Sequence, residues 1–317
     1  MTDRIDLNQE VKETSRVICS LNTESTDAFD ILEKRLDSLR YAIEAVQSSG
    51  ELGTDDVPMR QAWFKDEAKG WLRTSYLMNR ATNWPEGYPG DFKTLESVYS
   101  QQITSTGLGA LLDRYFLTRT LAVAVRSRRS TLASILHRHA LRENGSGTWL
   151  NIACGACREL DFLPPEIAPC IVHCVDSDPN ALEFSDARLR ENKLNIAIHA
   201  ENAFRYLNPI RNRARLGHVS LIYSAGLFDY IDNDNLTKLL RGLYDTLCSG
   251  GVLLAPFKDK VRYRTFDYHW LVNWNQFYQR TESQFKEILL HAGIPERETV
   301  LTRDPTGVLI FFEVTKS

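Results

Sequence analysis

Apolar positions recur with one period in the first half of the chain and with another in the second. Over residues 26–49, Phe29, Leu32, Leu36, Leu39, Ile43 and Val46 follow in alternating steps of three and four, the spacing that lines one face of an α-helix. Thr26 or Asp27 supplies a cap and Gly50 a stop, because a short polar side chain satisfies the first free amides and glycine accepts the left-handed turn that ends a helix. The connector "ELGTDDVP" follows, and a helical period resumes from Met59 to about Arg142, broken at "NWPEGYPGD" by prolines and glycines. The pattern predicts an all-helical region over residues 1–145, serving as a lid, a substrate-binding region or a dimerisation surface. A homodimer through these helices is one expectation, although only about three heptads are present.

After "ENGSG" the pattern changes to short apolar runs at 148–154, 171–176, 196–200, 219–225, 251–257 and 307–314. Helical stretches such as "PNALEFSDARLREN" and "NLTKLLRGLYDTLCSG" separate them. Strands alternating with helices build βαβ units, so residues 146–317 are expected to form an α/β, Rossmann-like, mainly parallel sheet with helices on both faces.

Charge narrows the partners. With 38 basic and 41 acidic side chains the formal charge is -3, and no overall basic field exists to attract a phosphate backbone, so no nucleic-acid partner is expected. The start "MTDRIDLNQEVKETSR" lacks an apolar signal core and no run of about 18 apolar residues occurs. A cytoplasmic protein without a membrane span is the expectation, with its six cysteines mostly reduced.

The stretch "TWLNIACGACREL" carries the candidate chemistry and two readings. Cys154, Cys157, Cys170 and Cys174 spell C-x2-C-x12-C-x3-C, near a four-cysteine zinc pattern. Alternatively, Gly155 ends the first strand, where glycine lets a ligand approach the backbone in a doubly wound sheet. The second strand favours the latter, since it ends in Asp176, 21 residues beyond Gly155 and placed to accept hydrogen bonds from a ribose diol. The turn "ACGAC" is not G-x-G-x-x-G, which suits a nucleoside without a pyrophosphate. Cys154 and Cys174 then read as small apolar strand residues and Cys157 as the opening of the following helix; no metal is expected.

"LNIACGACREL", "VDSDPNAL", "AENAF", "LIYSAGLFDYI" and "LCSGGVLLAPF" together resemble the successive motifs of class I S-adenosylmethionine-dependent methyltransferases. Upstream and late segments, "EGYPGDFKTLESVYS", "AVRSRRSTL" and "NWNQFYQRTE", are similar to methyltransferases associated with 3-hydroxy fatty acid methyl ester signals and their bacterial relatives. The resemblance implies S-adenosylmethionine as cofactor and a small-molecule substrate. It places Ala153, Cys154 and Gly155 under the methionine and ribose, Asp176 and Ser177 on the ribose hydroxyls, and Asn202, Ala203 and Phe204 beside the adenine. Ser224, Ala225 and Gly226, continuing to Phe228 and Tyr230, would face the sulfonium and the substrate.

Departures from that family shape the expected reaction. Many members have an acid where this chain has Asn151, and G-N-F where it has Ala255, Pro256 and Phe257. An amide can hydrogen-bond a neutral amine without stabilising its proton. Two reactions are therefore carried: methyl transfer to a carboxylic acid or amine in secondary metabolism, and closure of the cofactor's own amine on its γ-carbon to give azetidine-2-carboxylate. A binding protein that keeps the fold without turnover is a third reading. Trp270, Trp274 and Tyr278, in the aromatic segment after the fifth run, are expected to line a substrate pocket suited to a sulfonium. Tyr88 and Asp91 in "GYPGDF" are candidate lid residues that would orient the substrate, and Tyr230 and His269 are candidate proton acceptors. Arg126, Arg128 and Arg129 read as a solvated basic face.

Overall fold

The computed structural model describes residues 6–317, which divide into two compact units. The first holds the described residues up to Ala122 together with Arg264–Gln276, and the second holds Val123–Tyr263 and Phe277–Ser317. This differs from a single boundary at residue 145, because the last long helix of the N-terminal region goes with the sheet and the aromatic segment goes with the helices.

The first unit is built from α1 (Leu7–Cys19), α2 (Ala28–Ser48), α3 (Val57–Leu72), α4 (Tyr76–Asn83), α5 (Phe92–Ser100) and α6 (Gly107–Thr118). Leu32, Leu36, Leu39, Ile43 and Val46 of the α2 stripe are buried, and the chain turns at Gly50 with φ +77°. Asp27 occupies the cap position of α2 but makes no side-chain capping bond. The segment Arg264–Gln276 is packed into this unit: Trp270 lies edge-on to Phe64 at 6.1 Å and Trp274 stacks on Phe116 at 6.1 Å. Tyr115 donates its hydroxyl to Asp267 at 2.7 Å, and Asn273 donates to the Thr82 carbonyl at 2.8 Å. Aromatic rings buried in this way anchor a segment that has little regular structure of its own.

α7 (Thr120–Glu143) leads into the second unit, whose strands are β1 (Thr148–Ile152), β2 (Ile171–Asp176), β3 (Ile196–Ala200), β4 (Val219–Tyr223), β5 (Leu247–Lys258), β6 (Thr299–Arg303) and β7 (Leu309–Thr315). They form one sheet in the order β3-β2-β1-β4-β5-β7-β6. The first five run parallel, while β7 is antiparallel to β5 and β6 antiparallel to β7. α8 (Pro179–Glu191), α9 (Pro209–Leu216), α10 (Asn233–Thr246) and α11 (Glu282–His291) complete the α/β, Rossmann-like fold. The apolar runs predict every strand but β6, an edge strand bonded on one side whose sequence "TVLTR" is half polar and incompletely buried.

Side-chain alternation gives the sheet two different faces near the ends of β1, β2 and β4. Leu150, Ile152, Val175 and Ile222 enter a core with Leu236, Leu239 and Leu240 of α10 and Phe285 of α11, each such burial being worth roughly 1.5–3 kcal/mol. Between them, Cys174, Asn151 and Tyr223 sit side by side in register across β2, β1 and β4, so their side chains share the opposite face. That row, polar and fully buried, underlies the site.

Candidate functional site

β1 ends because its backbone turns left-handed. Ala153, Gly155 and Cys157 take φ values of +51°, +53° and +50°, a conformation costing a non-glycine residue roughly 1–2 kcal/mol. At Gly155 a Cβ would meet no heavy atom within 4 Å, so the turn leaves an open cradle above the strand end. The Gly155 amide donates to Asp176 at 2.8 Å, and the Asp178 amide donates to the other oxygen of the same carboxylate at 2.9 Å. Each oxygen keeps acceptor capacity for a further donor. Burial raises the Asp176 pKa above its ordinary value, opposed by these amide hydrogen bonds. Ser177 beside it is exposed. The cradle and the tethered carboxylate fit a nucleoside with a ribose diol.

The neighbouring strand ends extend this surface. Asn202, after β3, caps the turn Ala203–Leu207 by accepting from the Phe204 amide at 2.9 Å, and Phe204 itself is 40% exposed. After β4, the Ser224 hydroxyl accepts from the Leu227 amide at 3.2 Å, with Ala225 and Gly226 half-buried beyond it. A Cβ on Gly226 would lie 2.6 Å from an Arg128 guanidinium nitrogen; glycine is what lets the arginine reach the turn. Arg128 is itself buried, so the expected solvated basic face does not include it. Its sequence signal was its spacing: Leu121, Ala124, Val125, Arg128 and Leu132 form one buried face of α7.

Over the buried row stands a residue that sequence reasoning missed. Glu159, in the helical turn Arg158–Phe162, accepts from the Asn151 amide at 3.0 Å and the Tyr223 hydroxyl at 3.1 Å. Burial pushes its pKa up to about 7, against the lowering effect of the Tyr223 hydrogen bond. The amide at position 151 thus has a carboxyl group in contact with it, and its own Oδ1 is buried with no hydrogen-bond partner among the described residues.

The aromatic candidates separate. Phe228 is fully buried inside the apolar core. Trp270 and Trp274 belong to the core of the first unit, as does Tyr268, which accepts from the Leu121 amide at 2.6 Å. Tyr230 is half-buried, edge-on to Phe277 at 6.2 Å, and Tyr278 is exposed, its amide donating to the Asp229 carbonyl at 2.7 Å. Between these rings, the Lys258 ammonium is paired with the Asp229 carboxylate at 2.5 Å and lies 4.8 Å from the Phe277 ring centre. Arg280 ties the loop down by donating to the carbonyls of Phe228 and Ile231.

In the first unit, Tyr88 is exposed. Asp91 is buried as the cap of α5, accepting from the Thr94 amide at 3.0 Å and from Arg80 at 2.6 Å. Its carboxylate is committed to holding that turn. Burial pulls His269 down to about 4, leaving its imidazole neutral at neutral pH. Among the cysteines, Cys154, Cys157 and Cys174 converge in the buried row, while Cys170 is exposed just before β2; the four do not form one site.

Residues 150–253 match the family model of a methyltransferase domain. No curated protein matches the chain. A possible exported protein from Bordetella parapertussis is similar in structure, with a TM-score of 0.60, 17% identity, and 98% of this chain and 97% of that one covered. The S-adenosylmethionine-dependent methyltransferase SibL, in its apo form, aligns with a TM-score of 0.48 and 16% identity over 98% of this chain and 96% of its own. Magnesium protoporphyrin IX methyltransferase from Synechocystis with bound SAH aligns at 0.48 and 13% identity over 76% and 98%. At 17% identity the likeness to the Bordetella protein is one of fold. The matched domain makes this an enzyme of the S-adenosylmethionine-dependent methyltransferase fold, with S-adenosylmethionine as its cofactor. No helix among the described residues is long and apolar enough to cross a membrane.

Proposed function

We propose that the second unit holds S-adenosylmethionine over the Gly155 turn and transfers its methyl group to a carboxylate or amine of a small molecule in secondary metabolism. The observation that carries this reading is the Asp176 carboxylate, tethered at 2.8 Å to the amide of a glycine whose side-chain position is open. When bound, the cofactor supplies a methyl group on a positively charged sulfur, and the protein's work is alignment and exclusion of water. Asp176 would accept from the ribose hydroxyls, Asn202 and Phe204 would border the adenine, and Ala153 and Cys154 would lie under the methionine part. Asn151 and Glu159 would meet the amino group, and Arg128 a carboxylate of cofactor or acceptor. Ser224, Ala225, Gly226 and Tyr230 would bound the reacting centre.

A second reading is supported by the same pair. Asn151 carries no charge, and Glu159, pushed up to about 7, is partly protonated at neutral pH, so the two would leave an amine neutral and nucleophilic. Its nitrogen would then attack the γ-carbon as the carbon–sulfur bond breaks. Methylthioadenosine leaves, the nitrogen gives up its proton to Glu159 or solvent, and azetidine-2-carboxylate is the product.

Mass spectrometry of products from the purified full chain, with S-adenosylmethionine alone and then with carboxylic acids and amines, separates the two. Methyl transfer predicts intact cofactor alone, and S-adenosylhomocysteine with a methylated acceptor. Methylthioadenosine with a four-carbon amino acid, formed without an acceptor, would replace the first reading by the second. Cofactor that survives every acceptor unchanged would contradict both.

A further inference from the structure

Beneath the Gly155 turn lie three thiols that neither reaction uses. Cys154 and Cys157 come from the turn and Cys174 from the middle of β2; they are buried, and their sulfurs all lie within 4.8 Å of one another. The Cys157 and Cys174 sulfurs are 3.9 Å apart. Three thiolates around one tetrahedral or trigonal ion with metal–sulfur bonds of about 2.3 Å stand roughly 3.8–4 Å apart, so the set is close to ligand spacing. Isolated apolar cysteines need no such convergence.

The surroundings are those of an ion-binding thiolate cluster. The Asn151 amide nitrogen is 3.7 Å from the Cys157 sulfur, a donor that would steady a sulfur ligand. Arg188, ion-paired with Asp161, donates to the carbonyl of Ala156 and so holds the turn between Gly155 and Cys157 in place. Cys157 aims its sulfur inward from a left-handed backbone at φ +50°, where glycine would be unstrained.

We propose that Cys154, Cys157 and Cys174 form a binding site for one thiophilic d10 cation, Zn(II) or Cu(I), which clamps the cofactor turn to β2. Three sulfurs alone satisfy Cu(I), and Zn(II) would add a fourth ligand. Each thiol that binds releases its proton to solvent. The four-cysteine spacing is replaced by a three-cysteine site, since Cys170 is exposed outside it.

The test uses the reduced, chelator-treated full chain, titrated anaerobically with Co(II) as a spectroscopic probe for Zn(II), and separately with Cu(I). One equivalent should give sulfur-to-metal charge-transfer absorption. Cys157→Gly, which suits the left-handed backbone and so keeps the fold by circular dichroism, should lower affinity at least 100-fold. Cys174→Ser should do the same, and Cys170→Ser should bind as the wild type does. Charge-transfer intensity with Co(II) alone assigns a zinc-type ion, and with Cu(I) alone a copper-type ion. Absence of both, or intensity that survives Cys157→Gly in a folded variant, overturns the proposal. None of these readouts depends on the cofactor or on turnover.

Discussion

Glu159 is a buried carboxylic acid held well above its ordinary value. Its carboxyl group sits at about 7 in the fold against 4.5 in water, because burial disfavours the charged form. The folded protein therefore holds the proton more tightly than the unfolded chain does. Stability from this group is complete below about pH 4.5 and falls as pH rises towards 7, by at most about 1.4 kcal/mol per pH unit. Glu159→Gln keeps an acceptor for Asn151 and Tyr223 without the charge. Urea denaturation should find it more stable than the wild type at pH 8, by up to about 3 kcal/mol, with the gap closing near pH 4.5. A gap of constant size across that range would contradict the buried, proton-holding carboxyl.

Residues also show where sequence reasoning stops. Gly155 and Asp176 were legible because a strand end, a glycine and an acid on the next strand follow from chain order alone. Glu159 was not, since its contact with Asn151 depends on a helical turn folding back over the sheet. Phe228 and Asp91 were read by residue type, and type does not reveal that one is enclosed by core leucines and the other is spent on a helix cap and Arg80.

At the scale of elements, the apolar periods gave the strand and helix sequence, and edge strand β6 escaped because it is too polar and too exposed to form an apolar run. α7 looked like part of a separate helical region, yet its buried face carries Arg128 to the turn after β4. The turn after β1 makes a direct test of backbone geometry. Gly155→Val places a branched side chain at φ +53° and fills the open cradle. It should cost roughly 1–2 kcal/mol of stability and weaken S-adenosylmethionine at least tenfold by calorimetry. Unchanged affinity in the folded variant would mean that the cofactor does not lie over this turn.

For the whole molecule, the division into units could not be seen in the sequence. Arg264–Gln276 sits between β5 and α11 in the chain but buries Trp270 and Trp274 among helices of the first unit; such long-range packing leaves no local period. The central claim is that the second unit binds S-adenosylmethionine through Asp176. Isothermal titration of the full chain with the cofactor, beside Asp176→Ala, tests it most directly. One site per chain is predicted, with the variant roughly 10–100-fold weaker, as expected for loss of hydrogen bonds to a charged acceptor. Equal affinity in the two proteins, or no binding by the wild type, would contradict the account.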